Sequence, residues 1–235
     1  MSWLGDSAAV AVLSFDVDAE SPILAQGRRY ADHAMVMTHQ AYGPLVGVPR
    51  LLRLLADFER ALAVLERVGV RPTGHRSALW EASWDTASLV AEYGLEYDST
   101  LMDDDKPYRL ETPKGTIIEL PPHWSLDDWE QYAFLPRPPI GVNIESPAKV
   151  LDLWRNELDA MARHGCLFML TNHPFLSGRP GRVETLRKLI EHALGRGDVA
   201  FATAGQVAAR AREDSNVPTR PLRPVEVDAA IYPDL

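Results

Sequence analysis

The chain has 235 residues, 46% of them hydrophobic, which is enough to bury one sizeable core. Its formal net charge of -9 argues against nucleic acid, because phosphates call for clustered Lys and Arg. The apolar run at residues 8–15 is too short to span a membrane and has neither a basic leader nor a small-residue cleavage site, so a cytoplasmic protein without a membrane partner is expected.

Residues 8–15 read as a buried strand that ends in a polar stretch holding Asp16, Asp18 and Glu20. A helix is expected over 48–68, where Leu51, Leu54, Leu55, Phe58, Leu62, Leu65 and Val68 make one stripe before Gly69. A second follows over 84–93, with Ser83 as cap and Gly94 as stop, and then a strand at 95–98. Residues 109–111 and 116–120 suit a hairpin around Lys114 and Gly115. Pro121, Pro122, Pro136, Pro138 and Pro139 then bracket a Trp-rich stretch, expected to be neither regular helix nor central strand.

Ser146 and Pro147 open a helix with Val150, Leu153, Trp154, Leu158 and Met161 on one face, closed by Gly165. Residues 166–170 are the next strand, and its Cys166, unable to form an internal disulfide, reads as a core thiol. Val183, Leu186, Leu189, Ile190 and Leu194 mark another helix, 199–201 a strand, and Thr203 with Gln206 a capping box for a last helix. Alternating strands and helices of this kind define an α/β fold with parallel strands. One domain is expected over 1–213, followed at 214–235 by a polar, proline-rich tail that is mobile or binds a partner.

Chemistry in such folds gathers where parallel strands end. Asp16 and Asp18 sit at alternate positions past the first strand, so both carboxylates can point the same way; solvated turn acids are the other reading. His173 follows the strand end at Leu170 to Asn172, where a structural histidine is the plainer reading. Together they suit hydrolysis, one acid activating water while the imidazole protonates a leaving amine.

At these residues the chain resembles the polysaccharide deacetylases, carbohydrate esterase family four, which are metal-dependent amide hydrolases on a β/α barrel. Residues 13–20, LSFDVDAE, resemble the family's first motif, which implies Asp16 as base and Asp18 as metal ligand. Residues 74–80, GHRSALW, resemble the third, which implies Arg76 as partner of the base and Trp80 as groove wall. The stretch ending in His173 resembles the last motif, whose histidine is the general acid. YDSTLMDDDKPY, ELPPHWSLDDW and HPFLSGRPGR are similar to a subgroup of peptidoglycan deacetylase-like enzymes and ureide-hydrolysing amidases. The resemblance implies hydrolysis of non-peptide amide C–N bonds in N-acetylated sugars or peptidoglycan. A cyclic ureide amidohydrolase and a non-catalytic descendant that binds a ligand or partner are the alternatives.

Two departures from the family stand out. Ala78 replaces a proline expected in a tight turn, and between Ala56 and Phe58 two strand–helix units are missing, on the order of 60 residues. That segment would carry a histidine pair spaced four apart, and no two histidines here have this spacing, His33 and His39 being six apart in an expected loop. An incomplete (β/α) barrel of mostly parallel strands is therefore expected, with sheet edges that a homo-oligomer would cover. The zinc or similar divalent ion implied by the family is expected to be weak or absent, since Asp18 alone remains and His39 would have to swing in. Asp103, Asp104 and Asp105 read as a solvated charge run, and Trp124 and Trp129, like Trp80, as stacking surfaces for a sugar or planar ureide or as packing.

Overall fold

Strand β1 (Ala9–Phe15) opens with the small and β-branched run Ala9 to Val12, whose four side chains are buried. The computed structural model describes residues 2–16, 23–24, 27–48, 73–136 and 139–223. After β1 come α1 (Ala34–Tyr42), continued by a wider π-turn at Gly43–Gly47, then β2 (Gly74–His75), α2 (Thr86–Glu92) and β3 (Tyr97–Asp98). The hairpin β4 (Tyr108–Thr112) and β5 (Gly115–Glu119) precedes α3 (Asp128–Tyr132) and the short strands β6 (Leu135–Pro136) and β7 (Pro139–Ile140). The chain closes with α4 (Pro147–His164), β8 (Leu167–Asn172), α5 (Pro174–Ser177), α6 (Pro180–Arg196), β9 (Val199–Phe201), α7 (Ala204–Glu213) and β10 (Thr219–Pro221). The helix expected over 48–68 lies almost wholly outside the described residues.

Two compact units emerge, one of residues 1–3, 72–121 and 204–235 and the other of 4–71 and 122–203. The second is built on a parallel sheet in the order β8-β1-β9, with Val10 opposite Leu167 and Phe15 opposite Asn172. Every residue of β8 is buried, as a strand covered on both faces must be. Its core includes the α4 stripe Val150, Trp154, Leu158 and Met161 together with Val183, Leu186, Leu189 and Ile190 from α6. Ser146 caps α4 by accepting from the Ala148 amide at 3.2 Å, and Gly165 ends it at a φ of 63° that favours glycine. Short α5 meets the π-turn backbone to backbone: a Cβ on Gly178 would fall 2.3 Å from the Gly47 Cα.

The first unit holds a five-stranded sheet in the order β10-β4-β5-β3-β2, in which the β4–β5 ladder is antiparallel and the others parallel. Its buried cluster consists of Ala87 and Val90 from α2 and Tyr108, Leu110 and Ile117 from the hairpin. The fold is α/β with mostly parallel strands, and among the described residues the sheets do not close into a barrel.

Four expectations need correction. The tail does not begin at Asp214. That carboxylate accepts from the Trp3 amide at 3.0 Å, and β10 pairs in parallel with β4, satisfying an edge that would otherwise be open. Residues 224–235 lie outside the described chain. The acid run is not merely solvated either, because Arg220 of β10 binds Asp103 at 3.0 Å and also Asp104, clasping the added strand. The proline-rich stretch contains the regular helix α3 and the two-residue strands of the β6–β7 pair, in which Pro136 stands opposite Pro139, and His39 sits on α1 rather than in a loop. No helix among the described residues is long and apolar enough to cross a membrane.

Candidate acid-base site

The parallel register of β1 and β8 brings two site residues together. Phe15 stands opposite Asn172, so Asp16 and His173 leave the sheet side by side at its carboxyl edge, and the Asp16 amide donates to the Asn172 carbonyl at 2.7 Å. Pro174 cannot continue the ladder and instead starts α5, with His173 at the helix entry.

A third segment closes over the imidazole. Asp127 bridges to Thr171 of β8 and caps α3 by accepting from the Trp129 amide at 2.6 Å. The next residue, Asp128, is fully buried. Its Oδ1 accepts from His173 Nδ1 at 2.7 Å, both its oxygens lie within 3.0 Å of the His173 amide, and Oδ2 also accepts from the Ser177 hydroxyl. Trp129 packs on the imidazole at 5.2 Å between centroids and Phe175 at 6.1 Å.

Burial pulls the His173 imidazole toward neutrality, but the bond and charge of Asp128, with the charges of Asp127 and Asp16, outweigh it and push the group up to about 9. Asp127 is also pushed up, to about 7, first by burial and then by the neighbouring Asp128 charge, which outweigh the lowering by His173 and the Trp129 amide. At neutral pH the site holds a protonated imidazole fixed by a carboxylate, as a general acid requires.

Asp127, Asp128 and His173 are grouped closely enough to share a metal ion. Their atoms are already engaged, however: the imidazole nitrogen facing Asp128 is bonded to it, and both Asp128 oxygens accept hydrogen bonds. A cation there would compete with those bonds for the same atoms, so we assign no metal to the cluster. His39 does not complete a metal set either. Its ring lies edge-on to Phe175 at 5.4 Å, and burial with the Arg179 and Arg182 charges holds it below the usual histidine range, in surroundings that disfavour a second cation.

The structure thus gathers Asp16, Trp129 and His173 in one unit. Trp124 begins a short 3-10 turn in the same unit and is 48% exposed. Arg76 and Trp80 belong to the other unit, where Arg76 donates from Nε to the Ser99 carbonyl at 3.2 Å and from Nη2 to the Ser99 hydroxyl at 2.9 Å. Leu79 and Trp80, beside Ala78, both adopt left-handed φ, 56° and 53°. Asp18 lies outside the described residues. Asp127, Asp128 and Ser177 have no place in the sequence-based site. Their signals were the acid pair in WSLDDW and the one-turn spacing from His173 to Ser177.

A protonated imidazole held by a buried carboxylate, next to a second acid at the carboxyl edge of a parallel sheet, makes a candidate acid-base site on an α/β scaffold. The crystal structure of an inferred polysaccharide deacetylase from Mycobacterium smegmatis matches over 97% of each chain, with 38% identity and a TM-score of 0.86. The chain belongs to the polysaccharide deacetylase family. A peptidoglycan deacetylase of Helicobacter pylori is 26% identical over 171 residues, 62% of this chain and 58% of its own length. A peptidoglycan deacetylase-like protein of Gibberella zeae is 24% identical over 183 residues, 64% of this chain. The chain spans little more than half the length of these relatives, 58% and 54%. An allantoinase structure, 18% identical with a TM-score of 0.73 over 90% of this chain and 92% of its own, shares the fold. No family model matches the chain.

Proposed function

We propose that this protein hydrolyses amide C–N bonds of N-acetylated glycans, peptidoglycan among them. One observation carries the reading: the Asp128–His173 pair stands beside Asp16 at a single sheet edge. Asp16 takes a proton from the attacking water while the water oxygen bonds to the acyl carbon. As the C–N bond breaks, the protonated His173 gives its proton to the departing nitrogen, so acetate and a free amine result. Asp128 keeps the imidazole charged until that step and fixes which nitrogen is free to donate. The roles that the resemblance gives Arg76 and Trp80 belong to the same reading, as do stacking by Trp124 and Trp129, a cytoplasmic location and a homo-oligomer covering open sheet edges.

The test is acetate release from N-acetylated glycan oligomers and from peptidoglycan by the whole chain. Asp16→Asn and His173→Ala are each expected to lower kcat by roughly 10²-fold or more, the scale of general acid-base contributions. Equal rates in wild type and both variants would withdraw the site. The missing histidine pair favours one other reading, a non-catalytic descendant, and binding of these glycans without acetate release would establish it.

A further inference from the structure

We propose that Ser177 is a positioning residue of this site: its hydroxyl pins Asp128 against His173 and, through that carboxylate, sets how readily the imidazole releases its proton. The proposal rests on the reading of His173 as the acid. Ser177 is fully buried at the end of α5, and its amide donates to the His173 carbonyl at 2.9 Å, which places the hydroxyl one turn from the imidazole. The hydroxyl donates to Asp128 Oδ2 and lies 3.2 Å from the Asn172 side-chain oxygen. Asn172 is itself oriented, because its Nδ2 donates to the Ser14 carbonyl at 3.2 Å and to the Leu170 carbonyl at 3.4 Å. The Ser177 hydroxyl has one proton and gives it to Asp128, while the oriented Asn172 side chain packs against the serine oxygen.

Ser177 is not a nucleophile. The order is serine, carboxylate, imidazole, so its hydroxyl bonds to the acid rather than to the base that would activate it. Its effect falls on Asp128. Among the described residues, the charged and titratable groups around the pair are Asp16 from the end of β1, Asp127 at the cap of α3, Tyr132 of α3 and Arg182 of α6. When His173 gives up its proton, Asp128 is left as a buried carboxylate without its cationic partner. Donors aimed at that lone charge make the release easier, and the Ser177 hydroxyl and the His173 amide supply them. Without the hydroxyl, only the backbone donor remains for the charge, and the imidazole holds its proton more tightly. A hydrogen bond to a charged group is worth enough to move the His173 titration by about one pH unit, a tenfold change in acidity.

The experiment follows the His173 ring by NMR through a pH titration of the whole chain and of Ser177→Ala. The variant is expected to titrate about one unit higher than wild type. An unchanged or lower midpoint overturns the proposal. The wild-type spectrum supplies a second check that needs no variant: the Ser177 hydroxyl proton is expected to exchange slowly, and a rapidly exchanging one refutes the bond. An upward shift in a protein that releases no acetate would leave Ser177 in this role and remove the hydrolase reading instead.

Discussion

Asp128→Asn tests the heart of the site. The His173 imidazole is pushed from 6.5 up to about 9 in the fold, with Asp128 the main cause of the rise. A difference of about 2.5 units corresponds to about 3 kcal/mol between its two protonation states. The folded midpoint lies above the unfolded one, so this stabilisation is complete below about pH 6.5 and is lost as the pH rises through about 9. Asparagine keeps the shape of the side chain and removes the charge. Burial then has only the weaker charges of Asp127 and Asp16 against it, so His173 should titrate at or below 6.5 in the variant. Urea unfolding should place the variant about 3 kcal/mol below wild type at pH 6 and much closer to it at pH 10. An NMR midpoint still near 9 in the variant, or an equal stability gap at both pH values, would refute the reasoning.

Glu119, fully buried, is held well above the carboxylate range, first by burial and then by the charge of Asp98; its Oε1 accepts from the Thr100 and Leu101 amides at 2.8 and 2.9 Å. Its folded midpoint lies above the unfolded one, so its ionisation removes stability as the pH rises past the unfolded value; Glu119→Gln should melt higher than wild type at pH 8 and gain nothing at pH 4, and an equal gain at both would count against the argument. Arg220→Ala removes the clasp on β10 and should lower stability by about 1 kcal/mol, the ceiling for ion pairs this exposed. Hydrogen exchange at Leu222, whose amide donates to the Glu111 carbonyl at 2.9 Å, should accelerate in that variant; unchanged protection would show that the ladder holds unaided. Elemental analysis of the purified protein should find well under one zinc per chain, because Asp18 lacks the histidine pair of its family and the Asp128–His173 atoms are spent on each other. About one tightly held zinc per chain would overturn this, and its loss from an Asp127→Ala variant would point to the acid cluster as its site.

The long elements were legible because periodicity and caps act locally: α4 from its apolar stripe between Ser146 and Gly165, α6 from Val183 to Leu194, and the buried runs of β1 and β8. Helix α1 was missed because AMVMTHQAY shows no apolar stripe; Val36 and Gln40 are its buried residues. Three-residue β10 has no signal of its own and exists because β4 offers an open edge and two aspartates meet Arg220. The same division runs through the site. The sequence alone established which chemical groups end the strands, Asp16 after β1 and His173 after β8, since a buried run that turns polar shows within a few residues. Only the tertiary structure decided that Asp128, 45 residues before His173, is the carboxylate that holds it, with Ser177 behind. Choosing among the chain's acids takes the register of β8 with β1 and the bridge from Asp127 to Thr171, and such long-range pairings leave no mark in local residue order.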